Sequence, residues 1–566
     1  MEVHRHRTSV DAAEPEAISV SMRATARGFA WRIANTSAAT AAVNSVTAAC
    51  TIEGISGRLR MYRNGWQSWS ETGVATLGVD TDPALTPGAL ELQIMSHHAD
   101  SSLPAPGRLR SEMVTVVSDD RGAVLAGFLG GDLHEGTIWL AHGPTGQELH
   151  VQAFLGGAEL APGEERDLHE VRLETIGDAN DALADWAGEY GRRSLARVRA
   201  PYQLGWCSWY HYFEHVREID MRENLAAASD WPIQVFQLDD GFQSEVGDWL
   251  STDETFPSGL GAIASAVDRA GMRPGLWLAP FLVAPGSRLA QRNPDWIARY
   301  ADGTPLIAMY NDHWGGFVHT LDTSRPDVQE HLEGLARSVV QMGFTYLKLD
   351  FTYAPAMQGI YSDASMTPAQ RVRAGYDAIR RGAGDSAFLL GCGAPLGATV
   401  GVVDGMRIGA DVAPWWSPLR DLWDVPGYMG TIPATVNAWR NTLSRSFMHR
   451  KLWLNDPDCL MLRHTDTDLD EGQVRAWAMA VAVSGGMAVI SDNLATLDRR
   501  SAALLDEVLE IGARSDAAAA EGHAARCNDL MVSPLPTRLS AAGMLLEGEP
   551  ERGFVRLIAE SGDVSE

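Results

Sequence analysis

The chain has 566 residues and a formal net charge of −27 at pH 7, and 45% of its residues are hydrophobic. This length exceeds what one ordinary hydrophobic core holds, so two or three domains are expected. The negative charge and the scattered arginines disfavour nucleic acid and anionic membranes as partners. We therefore expect a small or neutral partner, while the oligomeric state stays open, a homo-oligomer included.

Cysteine usage and the N-terminus bear on the cellular compartment. The cysteines are odd in number, far apart, and without the spacing of a metal site or redox pair. They are Cys50, Cys207, Cys392, Cys459 and Cys527. No apolar run of signal-peptide length follows Met1–Arg7, and no run approaches the roughly 20 apolar residues needed to span a bilayer. These features predict a cytoplasmic protein.

Residues 1–195 are predicted to form a β-sandwich that ends in a linker helix. Short apolar runs alternate with clusters of Gly, Pro, Asp and Ser, which is typical of antiparallel sheets. The runs are Phe29–Ile33, Glu91–Ile94, Met113–Val117 and Leu149–Phe154. The helix is predicted from Asp178 to Arg193, because apolar residues recur there at helical spacing.

After Pro201 the pattern changes to apolar strands that alternate with helical segments, as in parallel β/α units. The eight predicted strands are Leu204–Tyr210, Val235–Asp240, Gly275–Phe281, Tyr346–Phe351, Phe388–Gly393, Met406–Asp411, Leu452–Asp456 and Met487–Ser491. Eight such units predict a (β/α)8 TIM barrel over residues 196–510. Residues 511–566 are predicted to form a short C-terminal β domain.

Two further segments of the barrel are predicted in more detail. The helix before the fourth strand is expected to have Ser324 as its N-cap, Pro326 in its first turn and Gly343 as its C-cap. The long segment Val283–Thr320 is rich in Gly, Pro and Trp, and is predicted to be a loop over the C-terminal face of the barrel.

Carboxylates concentrate at the C-terminal ends of the predicted strands, which is where barrel enzymes carry their active sites. The residues are Asp239 and Asp240 after the second strand, Asp350 after the fourth, Asp411 after the sixth, and Asp456 and Asp458 after the seventh. A purely structural barrel has no need for such a ring. The pattern therefore predicts a catalytic face.

The fourth strand carries a lysine and a carboxylate on one face. Side chains alternate along a strand, so Lys348 and Asp350 point the same way. Only two of the 46 Lys and Arg residues are lysines, Lys348 and Lys451. A lysine kept in such a chain is expected where a compact charge is needed and a guanidinium does not fit. The alternative is that Lys348 merely pairs with a core carboxylate.

Asp350 and Asp411 are the candidate catalytic pair. Glycosidic cleavage requires two carboxyl groups, one that attacks the anomeric carbon or activates water and one that protonates the leaving oxygen. Lys348 is expected to keep Asp350 ionised. The apolar wall of Trp415 and Trp416, with the charge on Asp350, is expected to raise the pKa of Asp411, while Arg407 opposes this rise. Asp411 is therefore the predicted acid.

Asp239 and Asp240 are predicted to accept hydrogen bonds from sugar hydroxyls, because Gly241 lets the chain turn as the strand ends. The competing interpretation is a Mg²⁺ or Ca²⁺ site. It is disfavoured because Lys348 and Arg407 already supply positive charge. Seven tryptophans are candidates for core packing, namely Trp66, Trp206, Trp209, Trp277, Trp314, Trp415 and Trp416. Several of them follow Gly or Pro in loop-like contexts and are better explained as flat platforms for sugar faces.

At these positions the chain resembles glycoside hydrolase family 36, the α-galactosidases of the same clan as family 27. The motifs that carry the resemblance are Leu204–Tyr210, Leu238–Gly241, Gly275–Pro280, Lys348–Phe351, Gly391–Gly393 and Arg407–Asp411. They follow the order that the family shows and cover about half of the chain. The resemblance implies an N-terminal β-sandwich, a catalytic barrel, a C-terminal β domain, and hydrolysis of terminal α-linked galactose without a metal or cofactor.

The resemblance also implies roles for individual residues. Asp350 matches the nucleophile and Asp411 the acid/base of a retaining mechanism, with their carboxyl groups about 5 to 5.5 Å apart. Asp239 and Asp240 match the residues that bind the 4- and 6-hydroxyls, and Lys348 the residue that binds the 3- and 4-hydroxyls. The other implied contacts are Arg407 and Cys392 at the 2-position, Trp66 leaning over the barrel mouth from the N-terminal domain, and Trp209 and Trp277 lining it.

Three other functions remain open at this point. Within the enzyme class these are an α-N-acetylgalactosaminidase and a galactosyl transferase of the raffinose-synthase kind. The space around Cys392 and Gly409 decides whether the 2-position admits an acetamide. The third function lies outside the enzyme class: a carbohydrate-binding or regulatory protein whose barrel has no catalytic activity. The presence of Asp350, Asp411, Lys348 and Arg407 together argues against this last interpretation.

Overall fold

The computed structural model describes residues 2–55, 57–80, 107–143, 146–419, 429–549, 552–559 and 564–565. The predicted strand Glu91–Ile94 lies outside the described residues. In the part of the chain that is described, no helix is both long and apolar enough to cross a membrane.

The N-terminal region is a sandwich of two antiparallel sheets. Within the described ranges, the first sheet has five strands, in the order Glu2–Ala12, Ala41–Glu53, Gln147–Leu160, Glu135–His142 and Arg108–Glu112. The second has seven, in the order Ile18–Thr25, Gly28–Asn35, Glu165–Ile176, Ala123–Phe128, Val114–Ser118, Arg60–Arg63 and Gly73–Thr76. Phe29, Trp31 and Ile33 are buried between the sheets while Arg32 faces solvent, which is the alternation of a half-buried strand.

The helix Ala179–Arg193 joins the sandwich to the barrel, as the spacing of its apolar residues predicted. Asp178 caps its N-terminus by accepting a hydrogen bond from the Asp181 amide. On its buried face, the Trp186 indole donates to the Phe128 carbonyl of the sandwich at 2.9 Å, and the Tyr190 hydroxyl donates to the Gly397 carbonyl of the barrel at 3.0 Å. The helix thus hydrogen-bonds to both regions.

All eight predicted barrel strands are present, and they are parallel. They are Leu204–Cys207, Val235–Leu238, Arg273–Leu278, Tyr346–Leu349, Phe388–Gly391, Gly405–Arg407, Leu454–Asp456 and Ala488–Ile490. The seventh strand is interrupted at Pro457. Its first part pairs with the sixth strand, and its continuation Cys459–Leu460 pairs with the eighth. Because the eighth strand also pairs with the first, the ring closes and the predicted TIM barrel is confirmed.

Helices surround the barrel and separate its strands. They are Trp209–Tyr212, Glu218–Ala227, Leu260–Arg269, Arg288–Arg292, Pro326–Gln341, Pro368–Ala383, Leu396–Thr399, Thr435–Ser444, Glu471–Ser484 and Arg499–Ala520. Both predicted caps of the helix Pro326–Gln341 were wrong. The C-cap is Met342, one residue before the predicted Gly343. Arg325 holds the N-cap position, and the Ser324 hydroxyl donates instead to Asp322 at 2.5 Å.

Two smaller antiparallel sheets complete the described structure. The segment predicted as a loop over the barrel contains the strands Leu282–Val283, Ile307–Asn311 and Gly316–Thr320. The C-terminal sheet has the strands Arg526–Cys527, Arg538–Ala541, Met544–Glu549, Phe554–Ala559 and Val564–Ser565. It packs on the barrel through Trp439, whose indole donates to the Pro536 carbonyl at 2.8 Å.

Candidate active site

Asp350 lies directly after the fourth barrel strand, and two N–H groups hold its carboxylate. The Trp277 indole, from the neighbouring third strand, donates to Asp350 Oδ2 at 3.0 Å. The amide of Phe351 donates to Asp350 Oδ1 at 2.8 Å. Each carboxylate oxygen therefore accepts a hydrogen bond, which suits an ionised group that is held in one orientation.

The backbone beside Asp350 has a conformation that few residues adopt. Phe351 has φ = 53°, in the left-handed region that is costly for a bulky side chain. Its ring packs edge to face against two tryptophans, Trp69 of the N-terminal sandwich and Trp314 of the segment above the barrel, each with a centroid distance of 5.1 Å. This packing stabilises the turn that aims the Phe351 amide at Asp350.

Lys348 forms an ion pair with Asp239, at the end of the second strand. Lys348 Nζ donates to Asp239 Oδ2 at 2.9 Å, and both side chains are buried. Both residues come from parallel strands whose C-terminal ends converge inside the barrel, so the lysine reaches across to the second strand. Burial lowers the pKa of Lys348, but the charges of Asp239 and Asp350 raise it well above its usual range.

Asp240 is held by two side chains that the sequence did not connect with it. Trp314 Nε1 donates to Asp240 Oδ2 at 2.9 Å, and Gln243 Nε2 donates to Asp240 Oδ1 at 2.5 Å. Burial raises the pKa of Asp240 to about 6, although both hydrogen bonds lower it. Since N–H groups already occupy the Asp239 and Asp240 carboxylates, the geometry suits hydroxyl donors better than a divalent cation.

Asp411 has a different environment from Asp350. Its carboxylate accepts from Arg407 Nη1 at 2.8 Å, and its side chain is 34% exposed. Burial within the site raises the pKa of Asp411, Arg407 and Lys348 lower it, and the charge on Asp350 raises it. The net direction is upward, as predicted, with burial as the largest cause. The site therefore contains one carboxylate with two N–H donors and one carboxyl group whose pKa lies above its usual value.

The other predicted contact residues lie around this group. Cys392 is buried, and burial together with the charge on Asp350 raises the pKa of its thiol. Trp209 begins the short helix after the first strand and is half-buried. Trp66 is 3% exposed, and its carbonyl accepts from the Leu396 amide at 3.1 Å. The contacts of these three side chains with a sugar stay predictions.

The sandwich reaches the site through the segment Asn64–Trp69. Arg445, which is fully buried, donates to Asn64 Oδ1 at 3.0 Å, to the Gly65 carbonyl at 3.1 Å and to the Ser68 carbonyl at 2.7 Å. It also donates to the Ile408 carbonyl, just after the sixth strand, at 2.8 Å. The sequence offered no sign of this role, because a buried arginine that binds carbonyl groups resembles any other arginine.

A cavity of about 790 Å³ lies at the opposite end of the strands, where Arg273 and Phe388 begin the third and fifth strands. Six cationic side chains line it, with Asp385 and Asp404 as its carboxylates. Both carboxylates are ion-paired with Arg197. The carboxylates of this cavity therefore form ion pairs at the N-terminal ends of the strands, on the opposite face from Asp350 and Asp411.

The closed parallel barrel carries two differently held carboxyl groups at its C-terminal end, and glycosidic cleavage requires such a pair. Residues 203–377, less than a third of the chain, match the family model described as Melibiase. The resemblance to the family 36 α-galactosidases is confirmed by this match and by the relatives below.

Two curated relatives are α-galactosidases. Alpha-galactosidase 2 of Pediococcus pentosaceus is 30% identical over 160 residues, which cover 25% of this chain and 21% of that protein. Alpha-galactosidase AgaA of Geobacillus stearothermophilus is 27% identical over 205 residues, which cover 34% of this chain and 27% of that protein. The matched segments thus span about a quarter of the length of these relatives.

Solved structures match over nearly the whole chain. TtGalA, an α-galactosidase from Thermus thermophilus in complex with p-nitrophenyl α-D-galactopyranoside, has a TM-score of 0.70 and 26% identity, over 94% of this chain and 99% of that one. A variant of the family 36 α-galactosidase AgaA in complex with raffinose has a TM-score of 0.63 and 13% identity, over 96% of this chain and 71% of that one. The second likeness shows the fold alone.

Proposed function

We propose that this protein is a retaining α-galactosidase that releases terminal non-reducing α-D-galactose from oligosaccharides such as melibiose and raffinose. The observation that carries the proposal is the contrast between the two candidate catalytic groups. Asp350 accepts N–H donors at both oxygens, while the pKa of Asp411 is raised. One group is thus prepared to attack as an anion and the other to deliver a proton.

In the first step, an Asp350 oxygen attacks the anomeric carbon and forms a β-galactosyl ester as the glycosidic bond breaks. Asp411 gives its proton to the departing oxygen, so the leaving sugar is released neutral. In the second step, Asp411, now ionised, removes a proton from water as the water attacks the same carbon. Asp350 is released, and two inversions at one carbon give net retention.

The pair Lys348 and Asp239, with Asp240, supports galactose as the sugar. Lys348 and Asp239 form a buried ion pair, so each is held in place before the substrate binds. An ammonium group donates hydrogen bonds and a carboxylate accepts them, which suits neighbouring hydroxyls on one sugar ring. Asp239 and Asp240 would bind the 4- and 6-hydroxyls, and Lys348 the 3- and 4-hydroxyls. Arg407 and Cys392 would lie at the 2-position.

The proposal also covers the cellular compartment and the domain organisation of the protein. All five cysteines lie in the described part of the chain, and each is a buried free thiol, which supports a reducing compartment such as the cytoplasm. The division into residues 1–195, 196–510 and 511–566 is proposed as the domain organisation. Trp66, Trp209 and Trp277 are proposed to line the substrate end of the barrel.

The first test is hydrolysis of p-nitrophenyl α-D-galactoside beside the β-galactoside, the α-glucoside and the α-N-acetylgalactosaminide, with Asp350→Ala as the inactive control. Activity on the α-galactoside alone, lost in the variant, supports the proposal. Preference for the acetamido sugar would reassign the specificity. No hydrolysis of any substrate, with galactosyl transfer to an acceptor sugar, would favour the transferase. Sugar binding alone would favour a barrel without catalysis.

Stereochemistry tests the mechanism separately from the specificity. Proton NMR during early turnover should show α-galactose as the first product, before mutarotation. Early β-galactose would mean single displacement, and the nucleophile assignment of Asp350 would then be wrong even if the substrate is correct.

A further inference from the structure

Arg407 ends the sixth strand at the centre of three carboxylates. Its Nη1 donates to Asp411 at 2.8 Å, its Nε lies 3.3 Å from Asp456 Oδ2, and its Nη2 lies 2.6 Å from Asp458 Oδ1. The guanidinium is 2% exposed, so little water is present to screen these charges. The proposed acid Asp411 therefore shares its cation with two carboxylates that the proposed mechanism does not use.

Asp458 is the more completely held of these two carboxylates. It is fully buried, and its Oδ2 accepts from the Tyr210 hydroxyl and from the Val412 amide at 2.9 Å. Its Oδ1 accepts from the Cys459 amide at 2.7 Å and forms the ion pair with Arg407. Three hydrogen bonds and one ion pair thus use both oxygens of this buried side chain. Burial raises the pKa of Asp458 to about 6, so at neutral pH the carboxyl group is ionised and its charge acts on Arg407.

The backbone places Asp458 at the break in the seventh strand. Asp458 has φ = 94°, a left-handed conformation that costs free energy for a residue other than glycine. The break at Pro457 separates the strand pairs that close the barrel, and it turns Asp458 inward to Arg407 and to the Val412 amide, next to Asp411. The left-handed turn at Asp458 thus places its carboxylate against Arg407 and the Val412 amide.

We propose that Asp458 is a positioning residue of the hydrolysis: it holds Arg407 and draws part of its positive charge away from Asp411, so that Asp411 keeps the proton it delivers. The inference rests on the proposed function and adds a residue to it. Asp458 acts through Arg407 and through the Val412 amide, which follows Asp411 directly in the chain.

The direction of the effect follows from the charges. If Asp458 lost its charge, the Arg407 cation would be less compensated and would stabilise ionised Asp411 more strongly. The repulsion between the two carboxylates would also disappear. Both changes lower the pKa of Asp411. The charged groups that act on Asp411 are Arg407, Lys348, Asp350 and Asp239, and those that act on Asp458 are Arg407, Asp411, Asp456 and Lys348.

The test is the pH profile of kcat/KM for Asp458→Asn, measured on two substrates. Asparagine suits this position because it tolerates the left-handed backbone better than other residues. The basic limb, which reports the proton on Asp411, should move to lower pH by about one unit or more. At neutral pH, raffinose should lose about tenfold more activity than p-nitrophenyl α-galactoside, because p-nitrophenolate leaves with little help from an acid.

Two variants separate positioning from damage to the fold. Tyr210→Phe removes one donor to Asp458 and keeps the carboxylate, so it should shift the basic limb in the same direction by less. If Asp458→Asn does not fold, this variant carries the test. Asp404→Asn removes another buried carboxylate, one that precedes the sixth strand and pairs with Arg197 and Arg380. It should lower stability and leave the limb in place.

An unmoved basic limb in Asp458→Asn and Tyr210→Phe, with equal losses on both substrates, would overturn the inference and leave the proposed α-galactosidase intact. A wild-type protein that hydrolyses neither substrate would instead overturn the proposed function, and the positioning role would fall with it. The two failures are told apart by the wild-type rate alone.

Discussion

The Trp277 indole donates a hydrogen bond of 3.0 Å to Asp350, and this is the only side-chain hydrogen bond that Asp350 receives within the described ranges of the chain. A tryptophan predicted as a platform for sugar thus also orients the proposed nucleophile. We expect Trp277→Phe to lower kcat on p-nitrophenyl α-galactoside by about tenfold, because a hydrogen bond to a charged group contributes about 1.5 to 3 kcal/mol. Steady-state kinetics at one pH measure this loss.

Trp249→Phe is the matched control for Trp277→Phe. Trp249 packs edge to face on Trp277 with a centroid distance of 5.7 Å, and its indole N–H has no hydrogen-bond partner in the described structure. Trp249→Phe should therefore change kcat little, because Trp249 contacts Trp277 and makes no hydrogen bond to Asp350. Equal losses in both variants would mean that ring packing, and not the hydrogen bond, matters for Asp350.

The buried pair of Lys348 and Asp239 predicts a large stability effect. Lys348→Met leaves Asp239 as an uncompensated buried charge, so we expect the free energy of unfolding to fall by about 3 to 5 kcal/mol. Adding Asp239→Asn should restore part of the loss, since it removes that charge. Denaturant unfolding monitored by fluorescence measures both changes.

Lys451, the other lysine of the chain, is the control for Lys348. Its ammonium donates to the Gly522 carbonyl at 3.3 Å and forms no ion pair in the ranges that the structure describes. Lys451→Met should change the free energy of unfolding by less than about 0.5 kcal/mol. A Lys348→Met variant as stable as this control would show that Asp239 finds another partner or takes up a proton.

The fold was predictable where local pattern dominates. The eight buried strands appear in the sequence as apolar runs between turn residues, and the helix Ala179–Arg193 by its spacing. The break in the seventh strand at Pro457 was not predictable, because its continuation is defined only by pairing with the eighth strand. The small sheet between Leu282 and Thr320 escaped prediction for the same reason.

The sequence predicted which carboxylates lie at the strand ends but not the groups that hold them. Asp350 and Asp411 lie on one face because parallel strands of a barrel end there, and their catalytic roles stay proposals. Lys348 pairs with Asp239 because of the distances between strands inside the barrel. The alternation of side chains along one strand does not give these distances. Trp69 reaches the site from the separate sandwich, and only tertiary packing brings it to Phe351.

The raised pKa of Asp240 predicts how substrate binding depends on pH. Burial raises this pKa to about 6, so below pH 6 the group is protonated and accepts fewer hydrogen bonds. We expect KM to rise as the pH falls through 6, with a smaller change in kcat. Protonated Asp240 favours the folded state, so its stabilising effect is complete below about pH 4 and is lost as the pH rises through 6.

Two substitutions check the assignment of this transition to Asp240. In Asp240→Asn the side chain at this position does not ionise. Its KM should therefore be high at every pH and show no rise near pH 6. Trp314→Phe removes a hydrogen bond that lowers the pKa of Asp240, so the rise in KM should begin at higher pH. If the transition stays at the same pH in both variants, another group titrates there.

The hydrogen bonds of Arg445 to the segment Asn64–Trp69 and to the barrel predict that the sandwich contributes to substrate binding. Burial lowers the pKa of Arg445 to about 10, so it stays charged at neutral pH. Arg445→Met leaves four carbonyls and the Asn64 side chain without this donor, and we expect a loss of about 3 kcal/mol or more in the free energy of unfolding. Since the segment Asn64–Trp69 is then held less firmly beside Phe351, KM should also rise several-fold.

Arg380→Met separates the two effects. Arg380 also donates to several carbonyls and pairs with Asp404, but it does so at the opposite end of the sixth strand, away from the segment Asn64–Trp69. It should lower the thermal midpoint and leave KM near the wild-type value. If KM rises equally in both variants, the increase reflects general loss of stability. If it rises only in Arg445→Met, the sandwich is part of the substrate site, because the barrel is destabilised in both.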